Sequence, residues 1–124
     1  MSKRILLIDD DALVLKSVRK LLENNGYEVV SAKNCQEAIK IAESGNFHLI
    51  ISDIRMPGEN GLATVRKIKD MLKQSTRVEV PSIFMTGYAS EEAPIDAIKL
   101  GAKDYLLKPF DLDELLTSVK NNIG

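Results

Sequence analysis

The chain has 124 residues, of which 44% are hydrophobic and 28% charged, the profile of one soluble globular domain spanning residues 1–124 with a core of its own. A single cysteine, Cys35, excludes an internal disulfide and gives no sign of an oxidising compartment, and no apolar run approaches the roughly 20 residues of a membrane span. With 17 Lys plus Arg against 18 Asp plus Glu the net charge is −1, which argues against nucleic-acid binding through bulk charge.

The first element is the apolar run Ile5-Leu6-Leu7-Ile8, which reads as a strand covered on both faces. It follows Lys3-Arg4 but meets three aspartates at once, so it is no secretory signal. Val14, Val18, Leu21 and Leu22 then repeat at helical spacing, and Gly26 closes that helix. Val29-Val30 is the second strand. Asn34 with Glu37 has the spacing of a capping box, and Cys35, Ala38, Ile39 and Ala42 form the next helical stripe, ended by Gly45.

Leu49-Ile50-Ile51 is the third strand. Leu62, Val65, Lys69 and Leu72 mark a third helix, with the lysine at the stripe's edge. Lys73 to Pro81 reads as a long polar connection. Ile83-Phe84-Met85 is the fourth strand, and Ile95, Ile98 and Leu100, with Pro94 near the start and Gly101 at the end, form a fourth helix. Tyr105-Leu106-Leu107 is the fifth strand. A fifth helix carries Leu112, Leu115, Leu116, Val119 and Ile123, with Asp111 and Glu114 at capping-box spacing.

Five alternating βα units imply an α/β fold with an open, parallel, doubly wound sheet of five strands. In such sheets ligands sit outside the carboxyl ends of the strands, where the strand order reverses. The residues that end the strands therefore carry the functional question. The first strand ends in Asp9-Asp10-Asp11, the third in Asp53, the fourth in Thr86 and the fifth in Lys108-Pro109. Each alone has an ordinary explanation: Asp11 as a helix cap, Asp9-Asp10 as turn residues, Thr86 as a backbone hydrogen-bonder, Lys108 as a solvated lysine. Their joint arrival on one edge does not.

Clustered carboxylates repel unless a cation joins them, and oxygen ligands with room for water suit Mg²⁺. Carboxylate, metal, lysine and hydroxyl are the parts needed to move a phosphoryl group onto an aspartate.

At these residues the chain resembles the receiver domains of two-component response regulators. Leu6 to Asp11 is similar to the family's acidic first-strand signature. Ser52-Asp53-Ile54-Arg55-Met56-Pro57-Gly58, followed by Gly61, is similar to its phosphorylation motif. Met85-Thr86-Gly87-Tyr88, then Gly101 to Tyr105 and Lys108-Pro109-Phe110, resemble its switch and lysine motifs. The likeness covers essentially the whole chain.

It implies a flavodoxin-like strand order 2-1-3-4-5 and cytoplasmic signalling. Asp53 would accept a phosphoryl group from a sensor histidine kinase or phosphotransfer protein. Asp10 would ligate Mg²⁺ directly, with Asp9 assisting through water, Asp53 itself, and the backbone carbonyl of Arg55. Lys108 would pair with the phosphoryl group, its bond to Pro109 being cis. Thr86 would move toward the phosphoryl oxygens and Tyr105 would change rotamer, remodelling the face of helix four, strand five and helix five. That face would contact a downstream partner or effector, or a second copy in a homodimer, with no direct nucleic-acid or membrane contact.

Arg55 and Tyr88, two residues beyond Asp53 and Thr86, stand where this family tunes hydrolysis. Both are large, which predicts a long-lived phosphoaspartate. The connection Lys73–Pro81 is longer than is usual for the family.

Other features have plain readings. His48 is a strand-edge histidine rather than a phosphodonor. Cys35 is a core residue, Met56, Met71 and Met85 are packing, and Arg66, Lys67, Lys69, Lys73 and Arg77 are a solvated face. No glycine-rich phosphate loop follows the first strand, and Asp9 and Asp10 would repel a nucleotide phosphate there.

An enzyme alternative is a haloacid-dehalogenase-like phosphohydrolase with Asp9 as nucleophile, disfavoured by Leu13 where that family has threonine or valine. A scaffold that has lost phosphorylation is disfavoured by the presence of Asp10, Asp53, Thr86 and Lys108. The 124 residues show no effector domain, which fits a stand-alone receiver or part of a longer regulator.

Overall fold

The computed structural model describes residues 3–43, 45–56, 59–76, 79–86, 102–107 and 111–124, without the side chains of 55, 56, 59, 76, 86, 102–105 and 107. Five strands form one sheet: β1 (Arg4–Ile8), β2 (Glu28–Ala32), β3 (Leu49–Asp53), β4 (Ser82–Thr86) and β5 (Ala102–Leu107). Their order is β2-β1-β3-β4-β5 and every pairing is parallel. This is the doubly wound order that the resemblance implied. Arg55–Met56 and Glu59–Asn60 make a small antiparallel ribbon after β3.

Consecutive apolar residues in the strands divide between two cores. Leu6, Ile8, Ile50 and Phe84 face α2 (Cys35–Glu43) and α3 (Gly61–Thr76), where Cys35, Ala38, Val65, Ile68 and Leu72 cover them. Ile5, Leu7, Ile51, Ile83 and Met85 face α1 (Ala12–Asn24) and the C-terminal helix (Leu112–Ile123), against Val18, Leu22, Leu115 and Val119. A strand between two helical layers has no polar face, which is why the runs do not alternate. Cys35 is buried in the first core, as a small apolar residue.

Several local readings are borne out with their chemistry. Asn34 Oδ1 accepts the Glu37 N–H at 2.8 Å and caps α2, while Glu37 Oε1 reaches back to the Lys33 N–H at 3.2 Å. Gly26 has φ +89°, the left-handed value that glycine tolerates after a helix.

Others are corrected. Lys73 to Thr76 belong to α3, so the connection before β4 is shorter than expected. The apolar stripe stops at Leu72, but the polar residues after it include good helix formers, and one more turn forms without a buried face. Ile68, absent from the expected stripe, is fully buried, and Lys69 instead reaches the start of β4, its Nζ 3.4 Å from Ser82 Oγ.

Asp111 stands at the helix N-cap but makes no side-chain cap bond. Its carbonyl alone takes the Leu115 N–H, at 3.3 Å. Gly45 does not have a left-handed φ. A Cβ there would come 2.7 Å from Nη1 of Arg4, the far end of a flexible side chain whose guanidinium lies over the Phe47 ring at 4.7 Å. The fourth predicted helix, with Pro94 and Gly101, lies outside the described residues.

Candidate functional site

β1 lies between β2 and β3, and this is where the strand order reverses. α1 leaves β1 toward one face of the sheet and α2 leaves β2 toward the other, opening a crevice above the carboxyl ends of β1 and β3. Asp9 and Asp10 follow β1 there, and Asp53 is the last residue of β3. One carboxylate oxygen from each of Asp9, Asp10 and Asp53 lies within 4.8 Å of the others. Asp9 is fully buried, Asp53 is 6% exposed, and Asp10 faces solvent.

The backbone aims these groups. The Asp9 N–H donates to Ala32 O at 3.1 Å, tying the end of β1 to the end of β2. Asp9 Oδ1 accepts the Asp11 N–H at 2.9 Å, which fixes the Asp9 carboxylate as the chain turns. Asp11 takes no part in the cluster. Its Oδ1 accepts the Leu13 and Val14 N–H groups at 2.9 and 3.4 Å, so it is the α1 N-cap, as its ordinary reading held.

On the other strand, Ser52 Oγ donates to the Asp53 carbonyl at 2.8 Å. The Gly61 N–H, opening α3, donates to the Ile54 carbonyl at 2.6 Å. Asn60 caps α3 through its side chain, accepting the Leu62 N–H at 2.9 Å. Asp53 thus sits where a strand end and a helix start press together.

Thr86 is the last residue of β4, and Met85 beside it is in register with Asp53. Tyr105 lies in β5 in register with Phe84. The side chains of Thr86, Tyr105 and Arg55, and all of Tyr88, Lys108 and Pro109, lie outside what is described. Beyond the strand edge, an open groove of about 440 Å³ is lined by Leu106 of β5 and by Asp113, Glu114, Thr117, Ser118 and Asn121 of the C-terminal helix.

His48 lies at the far end of β3 from Asp53. It is exposed, and its Nδ1 accepts the Arg4 N–H at 2.9 Å, bearing out the strand-edge reading. The donor set at the crevice is all oxygen and anionic, which fits a hard divalent cation and does not fit a soft one.

Ser52 was not singled out by sequence reasoning. Its only signal is a small polar residue interrupting an apolar strand immediately before Asp53.

The family model described as response regulator receiver domain matches residues 5–120. The transcriptional regulatory protein CrdR of Helicobacter pylori is 41% identical over 120 residues, covering 97% of this chain and 54% of that protein, so the chain spans about half of that relative's length. A CheY-like receiver domain structure from Methanospirillum hungatei JF-1 superposes with a TM-score of 0.88 at 32% identity, covering 99% of this chain and 94% of that one. A Burkholderia pseudomallei response regulator, solved with a phosphorylated aspartic acid, calcium ion and citrate, gives a TM-score of 0.85 at 30% identity over 98% of this chain and 69% of that one. These relatives are regulators, which leaves the phosphohydrolase alternative without support. The strand order, the carboxylate crevice and the match across residues 5–120 together make this chain a member of the response regulator receiver domain family, the phosphorylation-dependent signalling modules of two-component systems.

Proposed function

We propose that Asp53 is the phosphoacceptor and that residues 1–124 act as one receiver unit switched by its modification. The carrying observation is the meeting of Asp9, Asp10 and Asp53 within 4.8 Å at the carboxyl edge of the sheet. A carboxylate oxygen of Asp53 attacks the phosphorus of a phosphohistidine on a sensor kinase or phosphotransfer protein. The P–N bond breaks, its electron pair returns to the imidazole, which takes up a proton, and an acyl phosphate remains on Asp53.

The divalent cation assigned to this site is Mg²⁺. Asp10, Asp9, Asp53 and the Arg55 carbonyl would hold it, and when bound it would supply positive charge against the phosphoryl oxygens. Asp9 is held in the crevice by the Asp11 N–H, which donates to its Oδ1 at 2.9 Å. Lys108 pairs with the phosphoryl group, Thr86 supplies a hydroxyl to it, and Tyr105 follows by changing rotamer. The output is the face of β5 and its flanking helices, read by an effector, a partner protein or a second copy. The groove beside the C-terminal helix supports that choice of face. We place the protein in the cytoplasm, as its resemblance to two-component receiver domains implies. Separately, no helix among the described residues is long and apolar enough to cross a membrane.

The test is to incubate the protein with Mg²⁺ and phosphoramidate, read the intact mass and map the adduct by fragmentation. One phosphoryl group on Asp53 is expected. An adduct mapped to Asp9, or none, would overturn the assignment.

Two further outcomes follow from the same site. Mg²⁺ at a hundred times its dissociation constant is expected to stabilise the fold by about 2.7 kcal/mol, because it binds the assembled carboxylates and not the unfolded chain. Thermal melts with Mg²⁺ and with chelator read this directly, and Asp10→Asn should shrink the difference. The bulk of Arg55 and Tyr88 is assigned to shielding the acyl phosphate from water. Truncating both to alanine is expected to speed its decay several-fold, followed by intact mass against time.

A further inference from the structure

Ser52 is an unusual residue for its place. It is fully buried, and it lies in register with Ile8 on one side and Phe84 on the other. A buried hydroxyl is costly unless it is bonded. Its Oγ donates to the carbonyl of the next residue, Asp53, at 2.8 Å.

That carbonyl is held from a second direction. A Cβ on Gly61 would overlap the Asp53 oxygen, so the α3 backbone stands directly against it. The following carbonyl, of Ile54, accepts the Gly61 N–H at 2.6 Å. Two successive peptide planes are thus pinned as the chain leaves the sheet. The pinning falls where the ladder runs out: the β1–β3 register ends at Ser52, and Asp53 is in register with Met85 of β4. The orientation of the Asp53–Ile54 peptide sets the Cα–Cβ direction of Asp53 and the path to the Arg55 carbonyl.

We propose that Ser52 is a positioning residue for phosphoryl transfer, its hydroxyl locking the Asp53 carbonyl so that the acceptor carboxylate is held for attack. The proposal rests on Asp53 being the phosphoacceptor. Small misplacements of a reacting group are expensive in rate, and one neutral hydrogen bond is all that is being removed.

Ser52→Ala, Ser52→Cys and Ser52→Thr test it. Cysteine keeps the volume with a weaker donor, and threonine keeps the hydroxyl. The readouts are the rate of phosphoryl uptake from phosphoramidate with Mg²⁺ over a range of donor concentrations, and the ¹³C carbonyl resonance of Asp53 in the unmodified protein.

The alanine and cysteine variants are expected to lose roughly fivefold in rate at saturating donor, with the half-saturating concentration unchanged. Their Asp53 carbonyl resonance should move upfield. Threonine should restore both readouts to near wild type. Wild-type uptake by both alanine and cysteine variants overturns the proposal, as does a threonine variant that regains the carbonyl resonance but stays slow. Absence of uptake at Asp53 in the wild type overturns the phosphoacceptor reading with it, whereas unaltered Ser52 variants over a working wild type overturn the positioning role alone.

Discussion

An Asp53→Asn variant is expected to take up no phosphoryl group from any donor, and to be more stable than the wild type when no divalent cation is present. The first half follows from chemistry, since a neutral amide is a poor nucleophile in place of a carboxylate. The second follows from the crowding of three carboxylates within 4.8 Å, two of them at 0% and 6% exposure. Two unit charges about 5 Å apart at an effective dielectric near 20 repel by about 3 kcal/mol. Solvent around the exposed Asp10 and counterions screen part of that, so a gain on the order of 1 kcal/mol is the expected remainder.

With saturating Mg²⁺ the order should reverse, because the wild type has the fuller ligand set and gains more from the cation. Urea unfolding of both proteins, with chelator and with Mg²⁺, separates the two signs. A variant less stable than the wild type in chelator would mean that the Asp53 charge is already compensated by its neighbours.

Much of this site was legible because of where it sits. Parallel strands covered on both faces appear as unbroken apolar runs, so their ends are easy to find: Asp9 and Asp10 directly follow β1, and Asp53 and Thr86 close β3 and β4. Asp11, beside the cluster in sequence, was also legible as a helix cap, because a carboxylate two and three residues before free helical N–H groups has an immediate use.

The misreadings have a common cause. Periodicity reports burial and is silent where a helix runs on without it, as α3 does from Lys73 to Thr76. It also overstates burial at helix ends: Leu112 belongs to the apolar stripe of the last helix yet is 42% exposed. Spacing alone suggested a capping box at Asp111, but Asp111 makes no side-chain cap bond. Ser52 was missed because its role depends on which way a hydroxyl turns within one residue of Asp53, and no spacing rule encodes that. Lys108 and Tyr88, which complete the chemistry proposed here, lie outside the described residues and rest on their motifs.

Gly61→Ala is expected to destabilise the protein by a net of roughly 1–3 kcal/mol and to slow phosphoryl uptake with it. Two physical effects oppose each other at this position, and their signs differ. Gly61 is the first residue of α3, and helix propensity alone would make alanine better than glycine by up to about 1 kcal/mol. Against that, the added Cβ would overlap the Asp53 carbonyl oxygen and crowd the Ile54 Cα. The obstacle is backbone at the end of a central strand, held by β4 and by Ser52, so no side chain can rotate away.

Relief requires moving the start of α3, which strains the Gly61 N–H bond to Ile54 O and the Asn60 cap together. Overpacking costs typically 1–3 kcal/mol, and the weakened hydrogen bond adds about 1. Strain therefore outweighs propensity. Because the displaced group is the peptide of Asp53 itself, the loss should appear in phosphorylation rate as well as in the urea midpoint. A Gly61→Ala protein more stable than the wild type would show that α3 can slide off β3 freely. The tight seat of Asp53 between strand and helix would then not be what holds the acceptor in place.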